Sequence, residues 1–105
     1  MVHHLVIYKL EPAVTDDKLE EMIRTSRSQL LKIPEVLNIR SGRNIEKDSP
    51  WPFFVSMDFE SMDKLAMCQD DPIYAKFIAE VLEPNTSEAL SLDYEMEPGK
   101  DIKYS

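Results

Sequence analysis

The sequence predicts an α+β domain of the ferredoxin-like class, with the element order β-α-β-β-α-β and helices on one face of an antiparallel sheet. Three observations carry this reading. Residues 2–10, V-H-H-L-V-I-Y-K-L, form an extended run that is largely apolar on both of its alternating faces. Two amphipathic stretches with helix-capping residues each lie between strand-like segments. Residues 53–60 and 89–96 alternate apolar and polar in the manner of half-buried strands.

In the first strand His4, Val6, Tyr8 and Leu10 point one way, and His3, Leu5, Ile7 and Lys9 the other. Neither set reads as solvent-facing, so one face needs helices over it and the other a second sheet or subunit. A chain of 105 residues is too short to supply both. Pairing of two open faces in a homodimer is therefore expected.

Glu11-Pro12 ends the first strand, and Thr15 N-caps a helix running to about residue 32, with Asp16 and Asp17 at its positive end. Its inward stripe is Leu19, Met22, Ile23, Leu30 and Ile33, and Pro34 stops it. Residues 36–43 read as a second strand, with Leu37 and Ile39 on one side and Asn38 and Arg40 on the other, closing at Gly42. A charged, proline-containing loop follows over 44–52. In the third strand, residues 53–60, Phe53, Val55, Met57 and Phe59 share a face.

Ser61 caps a short helix to about Gln69, and Asp71-Pro72 restarts helix with a capping carboxylate ahead of proline at the first helical position. Ile73, Tyr74, Phe77, Ile78, Val81 and Leu82 form its buried stripe. Residues 83–87 read as a connection, and 89–96 as the fourth strand with Leu90, Leu92, Tyr94 and Met96 on one side. A polar tail over 97–105 holds Ile102 and Tyr104 as its apolar residues.

Composition narrows the function classes. A hydrophobic content of 43% with 30% charged residues describes one folded domain, taken as residues 1–96 plus the tail. No apolar run approaches the ~20 residues that span a bilayer, and the N-terminus lacks the pattern of a secretory leader, so no membrane partner and a cytoplasmic location are expected. The single Cys68 rules out an internal disulfide and fits a reducing compartment. A net charge of −8 argues against nucleic acid, whose phosphates need clustered Lys and Arg.

The segments Met1-Val2-His3-His4-Leu5-Val6, Ile33-Pro34-Glu35-Val36, Gly42-Arg43-Asn44, Phe59-Glu60-Ser61 and Asp71-Pro72-Ile73-Tyr74 are, in their order and spacing over residues 1–96, similar to the stress-responsive A/B barrel (Dabb) domain. The resemblance implies a dimeric α+β barrel with a pocket between helices and sheet in each subunit. Members range from uncharacterised stress proteins to a plant polyketide cyclase that performs a cofactor-free aldol condensation. In that cyclase a strand histidine, a helix tyrosine and a histidine two residues past the restart proline are important. His4 matches the first. Cys68 stands at the tyrosine position, Tyr74 replaces the post-proline histidine, and Phe53 replaces a further pocket histidine, so the cyclase chemistry is not carried over.

His4 is the strongest chemical candidate, since an imidazole against an apolar wall can take or give a proton near neutrality; it reads equally as a structural histidine. Tyr74 could donate to a developing oxyanion, or simply belong to the helix's apolar stripe. The candidate pocket comprises Val6, Tyr8, Phe53, Val55, Cys68, Phe77 and Tyr94, with Cys68 by default an inert thiol. His3 and His4 alternate in face and cannot share one metal, so neither metal nor cofactor is expected. Two readings stay open. One is a dimer binding a small apolar or aromatic, polyketide-like molecule with cofactor-free acid-base chemistry; the other is a non-enzymatic stress or structural dimer, with a cofactor-free monooxygenase as an enzymatic variant.

Overall fold

The computed structural model describes residues 1–97; the tail, with its Ile102 and Tyr104, lies outside the described residues from position 98 onward. Four strands, β1 (Val2–Leu10), β2 (Asn38–Arg43), β3 (Phe53–Phe59) and β4 (Thr86–Glu95), form one antiparallel sheet in the order β2-β3-β1-β4. The helices are α1 (Asp16–Leu30), α2 (Met62–Gln69), α3 (Pro72–Phe77) and α4 (Glu83–Asn85), with a π-helical turn over Ile78–Leu82 joining the last two.

The caps form as their residue types dictate. Thr15 Oγ1, Ser61 Oγ and Asp71 Oδ1 accept from the backbone N–H of Lys18, Lys64 and Ile73 respectively, satisfying donors that a helix start leaves orphaned. The α1 stripe is buried as its spacing predicts, and Ser26 joins it. The Ser26 and Ser41 hydroxyls lie 2.7 Å apart beside the Ile23 carbonyl, while Arg27 Nη2 donates to the Ser41 carbonyl at 2.6 Å. These bonds clip α1 to β2 without leaving a buried polar group unmet.

Val2, His4, Val6 and Tyr8 of β1 and Phe53, Val55, Met57 and Phe59 of β3 face the helices, and Phe53, Phe59, Met22, Leu30, Ile33, Met57 and Cys68 fill that interior. The helix layer is uneven: α1 lies over β2 and β3 and α2 over β3, but no helix packs extensively on β4. The flank of the sheet along β4 is consequently open on the helix side, whereas the helix-side residues of β1 are buried.

The opposite face carries Leu5, Ile7, Phe54, Leu90, Leu92 and Tyr94, together with His3 and Asp58. Gly42 sits there under the Phe54 ring, and a Cβ on it would stand 3.1 Å from Phe54 Cε1. A side chain at this position would make the Phe54 ring give by a few tenths of an ångström, a close approach that glycine allows without adjustment.

Three boundaries differ from expectation. The first helix closes at Leu30, two residues short of the expected end, and the chain turns before Pro34. The second strand begins at Asn38, so Leu37 is an exposed residue ahead of it and does not share a strand face with Ile39. Residues 83–87 are not an open connection: α4 occupies 83–85 and β4 begins at Thr86. The cause lies at Pro84, which has no N–H and would crowd the Glu80 carbonyl four residues back in an α-helix. The helix widens before it, and the Asn85 Nδ2 and Thr86 Oγ1 groups donate to the Val81 and Leu82 carbonyls at 2.8 and 2.7 Å.

Candidate functional site

Because β1 runs antiparallel to both neighbours, each of its adjacent histidines meets a carboxylate directly across a strand pair. His3 is opposite Asp58 on β3 and His4 opposite Asp93 on β4. Alternation then sends the two pairs to opposite faces of the sheet. His3 Nδ1 lies 2.6 Å from Asp58 Oδ1 on the open face, with Asn38 Nδ2 3.5 Å from the other Asp58 oxygen. His4 Nδ1 lies 2.5 Å from Asp93 Oδ1 on the helix side.

The His4–Asp93 pair is asymmetric in burial: His4 is 3% exposed, whereas the Asp93 side chain is 38% exposed. With the carboxylate ionised, Nδ1 carries the proton and donates it to Asp93, which leaves Nε2 as the free ring nitrogen. Among the described residues Nε2 has no partner, yet the only buried side-chain polar atom there without one is Glu35 Oε2. The His4 Nε2 atom therefore keeps some accessible surface, and a neutral imidazole held this way has a lone pair able to accept a proton.

Two clefts lie along the flank on which the pair sits, one of them lined by Asp93. A cleft of about 460 Å³ lies between β1, the π turn and the start of β4, with Val6, Tyr8, Ile78, Leu82 and Thr86 among its walls. At the other end of β4 a second cleft of about 470 Å³ includes Asp93, Val2, Ser61 and Met62. Both fall in the size range of small-molecule sites, roughly 300–1,000 Å³. The π turn forms one wall, a position where such widened turns recur in functional sites.

Of the residues singled out from sequence, the structure brings His4, Val6 and Tyr8 together on one strand face, with the Tyr8 ring stacked on Phe53 at 5.3 Å. Burial pushes the Tyr8 hydroxyl well above its ordinary pKa, with a further contribution from Tyr74, so both phenols are near one another and neutral. The Tyr74 hydroxyl is raised as well, by burial and then by Cys68. Val55, Cys68 and Phe77 are packed into the interior away from the clefts. The Cys68 thiol is pushed up to about 12 by burial, with Asp71 and Glu35 adding to it, which makes it a poor nucleophile. Tyr94 stands on the open face beside His3 and does not meet His4.

Asp93 was not singled out in sequence. The signal for it existed: if Leu90, Leu92 and Tyr94 share one face, Ser91, Asp93 and Glu95 must share the other, the face of His4. Among the described residues no three of His, Cys, Asp and Glu gather as metal ligands.

The family model for the stress-responsive A/B barrel domain matches residues 2–96. None of the curated proteins matches the chain in sequence. Among solved structures, a Dabb family protein with a ferredoxin-like fold from Mesorhizobium loti is 21% identical, with 91% of this chain and 96% of that one covered and a TM-score of 0.79. A dimeric ferredoxin-like protein of unknown function from Thermobifida fusca is 21% identical, with 90% of each chain covered and a TM-score of 0.80. A hydroxynitrile lyase from Passiflora edulis is 15% identical, with 92% and 94% covered and a TM-score of 0.77.

Proposed function

The chain belongs to the stress-responsive A/B barrel domain family, and from that premise we propose that it is a homodimer that binds a small apolar or aromatic molecule along the β1–β4 flank and performs cofactor-free acid-base chemistry on it, with His4 as the base. The observation that carries this reading is the His4–Asp93 pair: a buried imidazole with Nδ1 engaged at 2.5 Å and Nε2 left free. Asp93 is a positioning residue, fixing ring orientation and tautomer, and Tyr8 or Tyr74 supplies a neutral donor for a carbonyl oxygen that gains charge as the proton leaves. The hydroxynitrile lyase neighbour gives the fold a precedent for bond-breaking chemistry on a small molecule.

The dimer follows from the open face. Leu5, Ile7, Phe54, Leu90, Leu92 and Tyr94 would leave an apolar patch in water that a second copy covers, and the Thermobifida fusca neighbour is itself dimeric.

His3 provides an internal control for the test. In protein labelled with ¹⁵N-histidine, addition of 1-acetonaphthone, an uncharged aromatic ketone, is expected to move the His4 Nε2 resonance and leave His3 in place. A ligand that moves neither ring, or only His3, contradicts the assignment.

A further inference from the structure

We infer that the cleft between the π turn and β4 selects its ligand by charge, admitting an uncharged ketone whose carbonyl accepts from the Tyr8 hydroxyl and rejecting the carboxylate of the same shape. The inference rests on the proposed reading of the flank as a ligand site and adds to it what the ligand must be.

Two independent features point this way. The first is Tyr8. It is 5% exposed, its ring is fixed against Phe53, and it lines the cleft, yet its hydroxyl has no hydrogen-bond partner among the described residues. A phenol buried to this degree ordinarily finds an acceptor. Since the hydroxyl is not among the sealed, unpartnered atoms, it still faces open space. Burial keeps the phenol neutral, hence a donor, across the whole physiological range.

The second feature is the charge around the cleft. Its lining residues are Val6, Tyr8, Ile78, Leu82 and Ala89 with Thr86, Ser87, Glu83 and Glu88, and contain no Lys or Arg. Lys9, next to Tyr8 in β1, is held by Glu88 at 2.8 Å and lies over the Trp51 ring at 5.0 Å. Glu83 is exposed and forms no ion pair among the described residues. The approach from the other end of β4 is lined by Glu60, Asp93 and Glu95, and the one cation there, the Met1 ammonium, donates to the Met96 carbonyl at 3.2 Å. An anion entering from either side meets carboxylates, loses water against Val6, Ile78 and Leu82, and finds no counter-charge to offset that loss. A ketone loses far less and gains the Tyr8 hydrogen bond.

The test uses 1-acetonaphthone and 1-naphthoate, which differ by a methyl group in place of a charged oxygen, titrated into the full-length protein and read from backbone amide shifts. We expect 1-acetonaphthone to shift Val6, Ile78 and Ala89 and 1-naphthoate to bind at least about tenfold more weakly, a factor that corresponds to ~1.4 kcal/mol. The charge-reversing variant Glu83→Lys should narrow that gap, and Tyr8→Phe, which keeps the ring stacked on Phe53, should weaken the ketone several-fold. Binding of 1-naphthoate as tight as that of the ketone overturns the inference while leaving the His4 reading intact. Shifts at the cleft from neither probe overturn both, and unchanged ketone affinity in Tyr8→Phe overturns the role given to the hydroxyl.

Discussion

His4 and Asp93, 89 residues apart in the chain, stand directly opposite one another across β1 and β4, with Nδ1 and Oδ1 2.5 Å apart on the helix side of the sheet. Its immediate neighbour His3 repeats the arrangement with Asp58 on the other side. One imidazole thus lies on the helix side of the sheet, and the other on the open face proposed to dock a second subunit.

Replacing Asp93 by Asn keeps the side chain's shape but removes the charge that holds the Nδ1 proton. The variant should fold and dimerise normally while the His4 ring loses its single tautomer, seen as a change in the two ring nitrogen shifts by long-range ¹H–¹⁵N spectroscopy. Ring shifts identical to those of the unaltered protein would show that Asp93 does not position His4.

The dimer should depend on the open face. Ile7→Glu places a charge at its centre, between Phe54 and Leu90, without touching the helix-side core. Light scattering should then report a monomer where the unaltered protein is a dimer at micromolar concentration. Gly42→Val should act in the same direction by displacing the Phe54 ring. A dimer undisturbed by both substitutions would place the interface elsewhere.

Much of this arrangement was legible in the sequence, because alternation with period two separates His3 from His4 and sets Leu90, Leu92 and Tyr94 on one face whatever the tertiary context. The caps at Thr15, Ser61 and Asp71 were legible for the same local reason. What escaped was non-local. Asp93 reaches His4 only through the β1–β4 register, and that register is set after a crossover through α3 and the π turn, where no hairpin fixes it. The π turn itself hides in a stretch whose apolar spacing also suits an α-helix, and only Pro84 marks the widening. Leu37 shows the converse error, an apolar residue that fits strand alternation and donates its N–H to the Asp58 carbonyl at 2.9 Å, yet lies ahead of β2 with its side chain exposed.

Cys68 should be unreactive in the folded protein. With its thiol pushed up to about 12 from an ordinary 9.0, Ellman's reagent at pH 8 should label it only as fast as the chain unfolds. Above pH 9 the unfolded chain ionises this thiol while the folded one retains its proton, so the folded state binds the extra proton. Stability must therefore fall as pH rises between about 9 and 12, by up to ~1.4 kcal/mol per pH unit for this group. Denaturant melts of Cys68→Ala should show a shallower decline over the same window, and an equal decline would assign the effect to the buried tyrosines.

A His4 that works as a base on a bound molecule should reveal itself by hydrogen exchange with solvent. The methyl protons of 1-acetonaphthone are enolisable: His4 Nε2 removes one, a tyrosine hydroxyl steadies the enolate oxygen, and deuterium from heavy water returns to the carbon. Under conditions where amide shifts show the ketone bound, the protein should accelerate deuterium incorporation, and folded, ketone-binding His4→Gln should reduce that acceleration by ~10²-fold or more. Bound ketone exchanging no faster with the unaltered protein than with His4→Gln would show that His4 is not the base.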